Sequence, residues 1–280
     1  MGYGKTMRVK KSLGQNFLKS KKALFDVVQA GEVKKGETVL EVGPGKGALT
    51  EALLRVGARV IAVEKDAQLI PYLEKRFEET ISSGRLVIIE GDILEFNPKK
   101  PIGLTYVHRL NLWGKRYKVV ANIPYYITGE LIRFFLEHEC PPSSMTLLLQ
   151  KEVAERIMAR DKKESMLSIS VKVYGTPKYY GKVPARYFSP QPKVDSAIIS
   201  IKNIHSPFKN EKERNLFFKI VRAGFSHKRK MLAGNLSQLF PKEKILEVFK
   251  YCNVSEKVRA ENLNIEKWQY LTKKLGSSDF

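Results

Sequence analysis

The sequence is poor in cysteine and histidine. Two cysteines, Cys140 and Cys252, in 280 residues cannot build a disulfide framework or a Cys-rich zinc site. Four histidines, His108, His138, His205 and His227, are scattered without metal-ligand spacing, so no metal is expected. Long apolar runs are missing too. No stretch approaches the ~18 uninterrupted apolar residues of a membrane span. The first 22 residues hold seven Lys/Arg and no acid, but no apolar core follows them, so a secretory signal is not expected. These absences leave a cytoplasmic globular chain as the expectation, and 43% hydrophobic content is ample for a core.

Acid is also scarce. Fifty Lys+Arg against 29 Asp+Glu give a formal net charge of +21. Such a surplus repels itself in the folded state and attracts polyanions. Enrichment of charge for heat stability would raise both signs together, and here the signs are not balanced. Nucleic acid is the expected partner.

At roughly 150 residues per domain, the length suggests one large domain and a small second one. A helix is expected near Lys21–Gly31, after the basic arm. Short β-branched runs then alternate with helical stretches. Strands are expected at Thr38–Val42, Arg59–Glu64, Leu86–Glu90, Tyr117–Ala121 and Met145–Gln150, with two more at Leu167–Tyr174 and Ala197–Ile201. Asp66 is placed to cap the helix carrying Leu69, Leu73 and Phe77. Strand–helix alternation implies right-handed crossovers and a mostly parallel, doubly wound α/β sheet. Pro101–Gly114 reads as a loop insertion. From Leu216 onward the periodicity is helical only, with helices expected at Leu216–Phe225, Lys228–Leu239, Glu243–Tyr251 and Ile265–Leu275. Residues 201–280 hold 17 Lys/Arg and 8 Asp/Glu. The expected division is therefore 1–201, an α/β domain, and 202–280, a basic helical domain.

The first strand runs into Gly43-Pro44-Gly45-Lys46-Gly47. Glycines there let the backbone turn sharply and approach a ligand closely. In an open parallel sheet that ligand lies beyond the carboxyl ends of the strands. Glu64, 21 residues after Gly43, can accept both hydroxyl protons of a ribose. Two ligands fit the loop. Gly43-x-Gly45-x-x-Ala48 satisfies a loose dinucleotide fingerprint, and Glu41-x-Gly43-x-Gly45-x-Gly47 is the acidic-x-G-x-G-x-G pattern of S-adenosylmethionine enzymes. Two further motifs separate them. Asp92, after the third strand, can accept from an adenine amino group, although a turn or cap Asp is commoner. Asn122-Ile123-Pro124-Tyr125, after the fourth, serves no purpose in hydride transfer.

The chemistry of that tetrapeptide follows from its atoms. An aromatic amine is a poor nucleophile because its lone pair is delocalised into the ring. Two acceptors aimed at its hydrogens localise the lone pair. The Asn122 side-chain oxygen can be one and the Pro124 carbonyl the other, while proline stiffens the turn. Tyr125 offers a face for stacking. Positioning and polarisation then supply most of the catalysis. The bland alternative is an ordinary turn with a packed tyrosine.

Gly14-Gln15-Asn16-Phe17-Leu18, Glu41–Gly47, Glu64-Lys65-Asp66, Gly91-Asp92, Asn122–Tyr125, Gln150–Ala154 and Phe188-Ser189-Pro190-x-Pro192-Lys193-Val194-Asp195-Ser196 occur in one order. Together they resemble the ribosomal RNA adenine N6,N6-dimethyltransferase family across essentially the whole chain. The resemblance implies a Rossmann-like methyltransferase sheet with a small all-α C-terminal domain, S-adenosyl-L-methionine as cofactor, and dimethylation of two adjacent adenosines near the 3′ end of small-subunit rRNA during ribosome biogenesis. It implies that Asn16 and the Leu18 backbone contact the cofactor, that Gly43 and Gly45 lie against it, and that Glu64 holds its ribose and Asp92 its adenine. Asn122 would touch cofactor and base together, and Phe188 would sandwich the base opposite Tyr125. A core phenylalanine is the alternative for Phe188. Lys228-Arg229-Lys230, the densest basic cluster of the helical region, is expected on RNA phosphates. The expected partner is a small ribosomal subunit precursor, bound by a monomer away from any membrane. Two competing functions are a large-subunit rRNA adenine methyltransferase of the antibiotic-resistance type and a non-catalytic RNA-binding assembly factor.

Overall fold

The computed structural model describes residues 15–98 and 116–277. The basic arm before Gln15 and the Pro101–Gly114 stretch lie outside the described residues. In chain order the elements begin with β1 Phe17–Leu18, α1 Lys21–Ala30, β2 Thr38–Val42, α2 Ala48–Arg55, β3 Arg59–Glu64, α3 Ile70–Arg76, α4 Glu78–Ser82 and β4 Leu86–Glu90. Then come β5 Tyr117–Asn122, α5 Thr128–Glu137, β6 Ser144–Gln150, α6 Lys151–Met158, α7 Met166–Lys172, β7 Thr176–Val183, β8 Phe188–Ser189 and β9 Ser196–Lys202. Four helices close the chain: α8 Glu211–Gly224, α9 Leu232–Leu236, α10 Lys242–Tyr251 and α11 Ile265–Gly276.

Seven strands form one sheet in the order β4-β3-β2-β5-β6-β9-β7. From β4 to β6 every neighbouring pair is parallel, and β9 joins β6 antiparallel. The apolar runs explain this. Val39, Leu40, Val60, Ile61, Val119, Val120, Leu147 and Leu148 are all buried, as central parallel strands require. Strand order reverses between β2 and β5, so the connections that follow them leave in opposite directions and open a crevice there. Ser20 fixes the entry to α1 by accepting from the Ala23 N–H at 3.3 Å, and the helix buries Ala23, Val27 and Val28. A two-residue sheet pairs β1 with β8, Leu18 opposite Phe188.

The chain divides into two compact units, 1–154 with 178–202, and 155–177 with 203–280. The expected boundary near 201 thus omits an excursion, because 155–177 group with the C-terminal helices. Within that unit Tyr174, Phe208, Phe217 and Phe218 form an aromatic cluster with ring centroids 5.2–6.2 Å apart. Trp268 is fully buried and stacks on Phe225 at 5.6 Å.

Three local expectations need correction. Leu167–Tyr174 is not a strand; most of it is α7. Its alternating Ser-Ile-Ser-Val pattern suits either state, and a capping box decides. The Ser168 N–H donates to the Ser165 hydroxyl at 3.1 Å, and the Ser165 N–H donates back at 2.7 Å, which satisfies two groups that a helix start otherwise leaves unpaired. The strand comes later, as β7. Asp66 does not cap α3, which starts after Leu69; it is buried and accepts from the Gln68 N–H at 3.3 Å. The expected helix Lys228–Leu239 shrinks to α9, and Lys228–Lys230 form a turn before it. No helix among the described residues is long and apolar enough to cross a membrane.

Candidate active site

A cavity of about 500 Å³ opens at the carboxyl ends of β2, β3 and β5. Its wall includes Asn16, Leu18, Gly43, Gly45, Glu64, Asp92, Asn122, Pro124 and Tyr125. The structure therefore brings together nine of the ten residues expected around cofactor and base.

The glycine loop is held open by its backbone. Gly43, Gly45 and Gly47 have φ of +63°, +59° and +78°, in the left-handed region that side chains with a Cβ disfavour. A Cβ on Gly45 would lie 2.8 Å from the Phe17 ring, so Phe17 packs directly on the loop. The N–H groups of its three glycines are committed within the protein. Gly43 donates to Val63, Gly47 to Pro44 and Gly45 to Glu64 Oε2, all at 2.8–2.9 Å. A pyrophosphate needs such groups free, which counts against the dinucleotide reading.

The acidic residues make the same point. Glu64 is buried and takes the Gly45 and Asp66 N–H groups on separate oxygens, at 2.9 and 2.8 Å. Burial raises its pKa, and those two donors oppose the rise. Each oxygen keeps a second lone pair for a ribose hydroxyl. Glu41 is 1% exposed, and neither of its oxygens has a hydrogen-bond partner among the described residues. Loss of hydration pushes its pKa up to about 8; neighbouring Thr50 opposes the shift, without hydrogen-bonding geometry to the carboxyl, and Glu64 adds to it. Asp92 caps the turn Ile93–Glu95 through the Leu94 N–H at 3.1 Å and binds Lys65 Nζ at 2.6 Å. That ion pair holds its carboxyl below the usual range. The cap reading of Asp92 therefore holds, and Asp92 also lines the cavity. Carboxyl acceptors on one cavity wall suit a ligand rich in donors, such as S-adenosylmethionine with its ammonium, ribose hydroxyls and adenine amine. They do not suit a pyrophosphate.

At the other end, Asn122 closes β5. Its Nδ2 donates to the Asn16 carbonyl at 2.9 Å. Only the amide nitrogen can donate to a carbonyl, so this bond fixes the amide's orientation and leaves Oδ1 as an acceptor. The Pro124 carbonyl accepts from the Ile127 N–H at 3.2 Å and keeps one lone pair. Tyr125 is partly buried, with its hydroxyl 2.7 Å from Ser196 Oγ. Burial is the main reason its pKa is raised.

Phe188 is the exception. It is 3% exposed and belongs to the hydrophobic core with Leu18, Val27, Val183 and Ile198. It is not on the cavity wall, although Ser189 is. The core alternative holds: cross-strand pairing of β8 with β1 puts this ring among apolar side chains. Lys228, Arg229 and Lys230 are exposed in their turn and belong to the C-terminal unit.

The sequence reading missed two aromatics on this wall. Phe17 sits in the Asn16–Leu18 segment and carries Lys46 Nζ 5.2 Å from its ring centroid. Tyr126 is 59% exposed beside Tyr125. Their signal was adjacency to motif residues, which says nothing of direction until the backbone is placed.

Comparison with known proteins agrees with this geometry. The chain matches the family described as Ribosomal RNA adenine dimethylase over residues 6–276. The chain belongs to this family. It is thus an rRNA adenine dimethyltransferase whose methyl donor is S-adenosylmethionine. Curated relatives of this dimethyltransferase include Ribosomal RNA small subunit methyltransferase A of Dehalococcoides mccartyi strain CBDB1, 39% identical over 270 residues, 96% of this chain and 89% of the relative. The protein of the same name from Fusobacterium nucleatum is 37% identical over 268 residues, 94% of this chain and 96% of the relative. Among solved structures, a dimethyladenosine transferase from Plasmodium falciparum aligns with TM-score 0.73 and 28% identity, covering 92% of this chain and 98% of that one. The 23S rRNA methyltransferase ErmE aligns with TM-score 0.74 at 22% identity, covering 94% of this chain and all of that one, a likeness of fold alone.

Proposed function

We propose that this dimethyltransferase methylates N6 of two adjacent adenosines near the 3′ end of small-subunit rRNA, acting in the cytoplasm as a monomer on a precursor of the small ribosomal subunit. The anchored Asn122 amide carries the reading, because an acceptor of fixed direction is what the amine needs. The names of the relatives at 36–39% identity favour the small subunit over the large. The intact Asn122–Tyr125 turn on the cavity wall favours catalysis over binding alone.

In this reading Glu64 takes the cofactor's ribose hydroxyls, Asp92 its adenine amine, and Gly43 with Gly45 makes room for its methionine end, against Asn16 and the Leu18 backbone. When bound, S-adenosylmethionine supplies an electrophilic methyl group on a cationic sulfur. Asn122 Oδ1 and the Pro124 carbonyl accept the two hydrogens of the target amine and localise its lone pair. The bond from Asn122 to Asn16 means that little reorganisation is needed at the moment of reaction. Tyr125 holds one face of the base, which must be single-stranded or flipped out to be reached. The methylated amine cation is acidic enough to pass its proton to water, so no dedicated base is needed. Lys228, Arg229 and Lys230 bind phosphates.

The test is to incubate the protein and labelled S-adenosylmethionine with purified small and large subunits lacking the modification, and to map the methylated nucleotides by mass spectrometry. Two adjacent dimethyladenosines near the small-subunit 3′ end are expected. Methylation confined to large-subunit rRNA would overturn the assignment.

A further inference from the structure

Residues Tyr125–Ile127 form a single 3₁₀ turn. Such a turn has three residues per revolution, so successive side chains leave it about 120° apart. Burial follows that geometry. Tyr125 turns inward, with its hydroxyl on Ser196. Tyr126 is 59% exposed while still on the cavity wall. Two neighbouring rings that diverge in this way cannot lie on the faces of one base. Burial of Phe188 also leaves the rim without the second aromatic that the motif pattern suggested. Lys65 lines the same cavity, and its side chain is 54% exposed even while paired with Asp92. A cavity wall that carries both an exposed aromatic and a half-exposed lysine matches a nucleotide, with its flat base and anionic phosphate.

We infer that Tyr126 is a positioning residue on which the nucleobase adjacent to the target adenosine stacks. The inference rests on the rRNA reading above. When one base enters the cavity, its covalent neighbour is held at the rim by the shared backbone. A ring there converts that tether into a defined register. Stacking tolerates any base but is stronger for purines, so the platform suits a pair of adjacent adenosines, each serving as neighbour to the other.

The experiment uses full-length protein and small subunits whose rRNA carries either the natural neighbouring adenosine or uridine in its place. Methylation of the remaining adenosine is followed. Tyr126→Ala should raise KM for natural subunits about tenfold, the scale of one lost base–aromatic stack, and Tyr126→Phe should restore it. Replacing the neighbour with uridine should raise the wild-type KM but leave Tyr126→Ala nearly unmoved, because the partner ring is already gone. Independent, multiplying effects of the two changes would overturn the inference. So would an unchanged KM for RNA with weakened S-adenosylmethionine binding by calorimetry, which would mean that the ring covers the cofactor. Failure of the rRNA reading itself would look different: wild-type protein would transfer no methyl to either adenosine of natural small subunits.

Discussion

The cavity at the β2–β5 switch point and the basic turn at Lys228–Lys230, which we propose meets RNA phosphates, are built on opposite plans. At the cavity the polar groups are committed to one another: Gly45 to Glu64, Asn122 to Asn16, Asp92 to Lys65. At the turn three cations stand in solvent without an acidic partner among the described residues. Chemistry on one amine demands an acceptor fixed in direction, and the fold supplies it with hydrogen bonds that consume backbone. Neutralising a phosphate demands only charge within reach. Substitutions should separate the two regions cleanly.

The largest effect is expected at Asn122. Asn122→Ala removes an acceptor held by the Asn16 carbonyl. Loss of one preorganised hydrogen-bonding group typically costs ~10²–10³ in rate. Single-turnover transfer at saturating cofactor and subunits isolates the chemical step. A near wild-type rate there would show that the anchored amide is not the acceptor, and the contrast between the regions would collapse.

The next effect reads the cost of the cavity's acidic floor. Glu41 is buried between Ala62 of β3 and Val120 of β5 in register, below Thr50, with Glu64 the charged group that adds to its shift. Its folded pKa of about 8 lies above the ordinary value of 4.5. The folded state therefore binds more protons than the unfolded state between those values, and this group's contribution to stability falls as pH rises from about 4.5 to about 8. It is level outside that window. Glu41→Gln, which cannot titrate, should flatten the decline by on the order of 5 kcal/mol in urea titrations at stepped pH. An unchanged slope would mean that the carboxyl finds a partner in solution.

Legibility followed the same division. The gathering of Asn122, Glu64 and the glycine loop could be read because each sits at or just past a strand end, and the parallel sheet brings those ends to one cavity. Phe188 could not, since a phenylalanine in a motif and one in a core are the same residue, and only the pairing of β8 with β1 shows which way the ring turns. Tyr126 escaped because adjacency to a motif says nothing of direction, and only the 3₁₀ turn shows that the neighbouring rings diverge. Leu167–Tyr174 was misread where β-branched alternation met a capping box of two serines. The 155–177 excursion was invisible because no periodicity records which unit a helix joins. By contrast, the cluster Lys228–Lys230 was found by charge alone, although its expected helix proved to be a turn.

The smallest effect, and the sharpest test of the contrast, lies in that turn. Lys228, Arg229 and Lys230 are exposed, so replacing all three with Ala removes no buried contact and should leave folding unchanged. Each cation that neutralises a phosphate releases condensed counterions, with a slope of log affinity against log salt of about −0.7 to −0.9 per contact. If all three engage, the triple variant should bind small subunits with a slope shallower by about 2–3. Its affinity should fall roughly tenfold near physiological salt and converge on wild type as salt rises. S-adenosylmethionine affinity, set in the other unit, should not move. The measurement is filter binding across a salt series, with calorimetry for the cofactor. An unchanged slope would mean that the turn faces away from RNA, and the charge surplus of residues 201–280 would then have to act through another face of the helical unit.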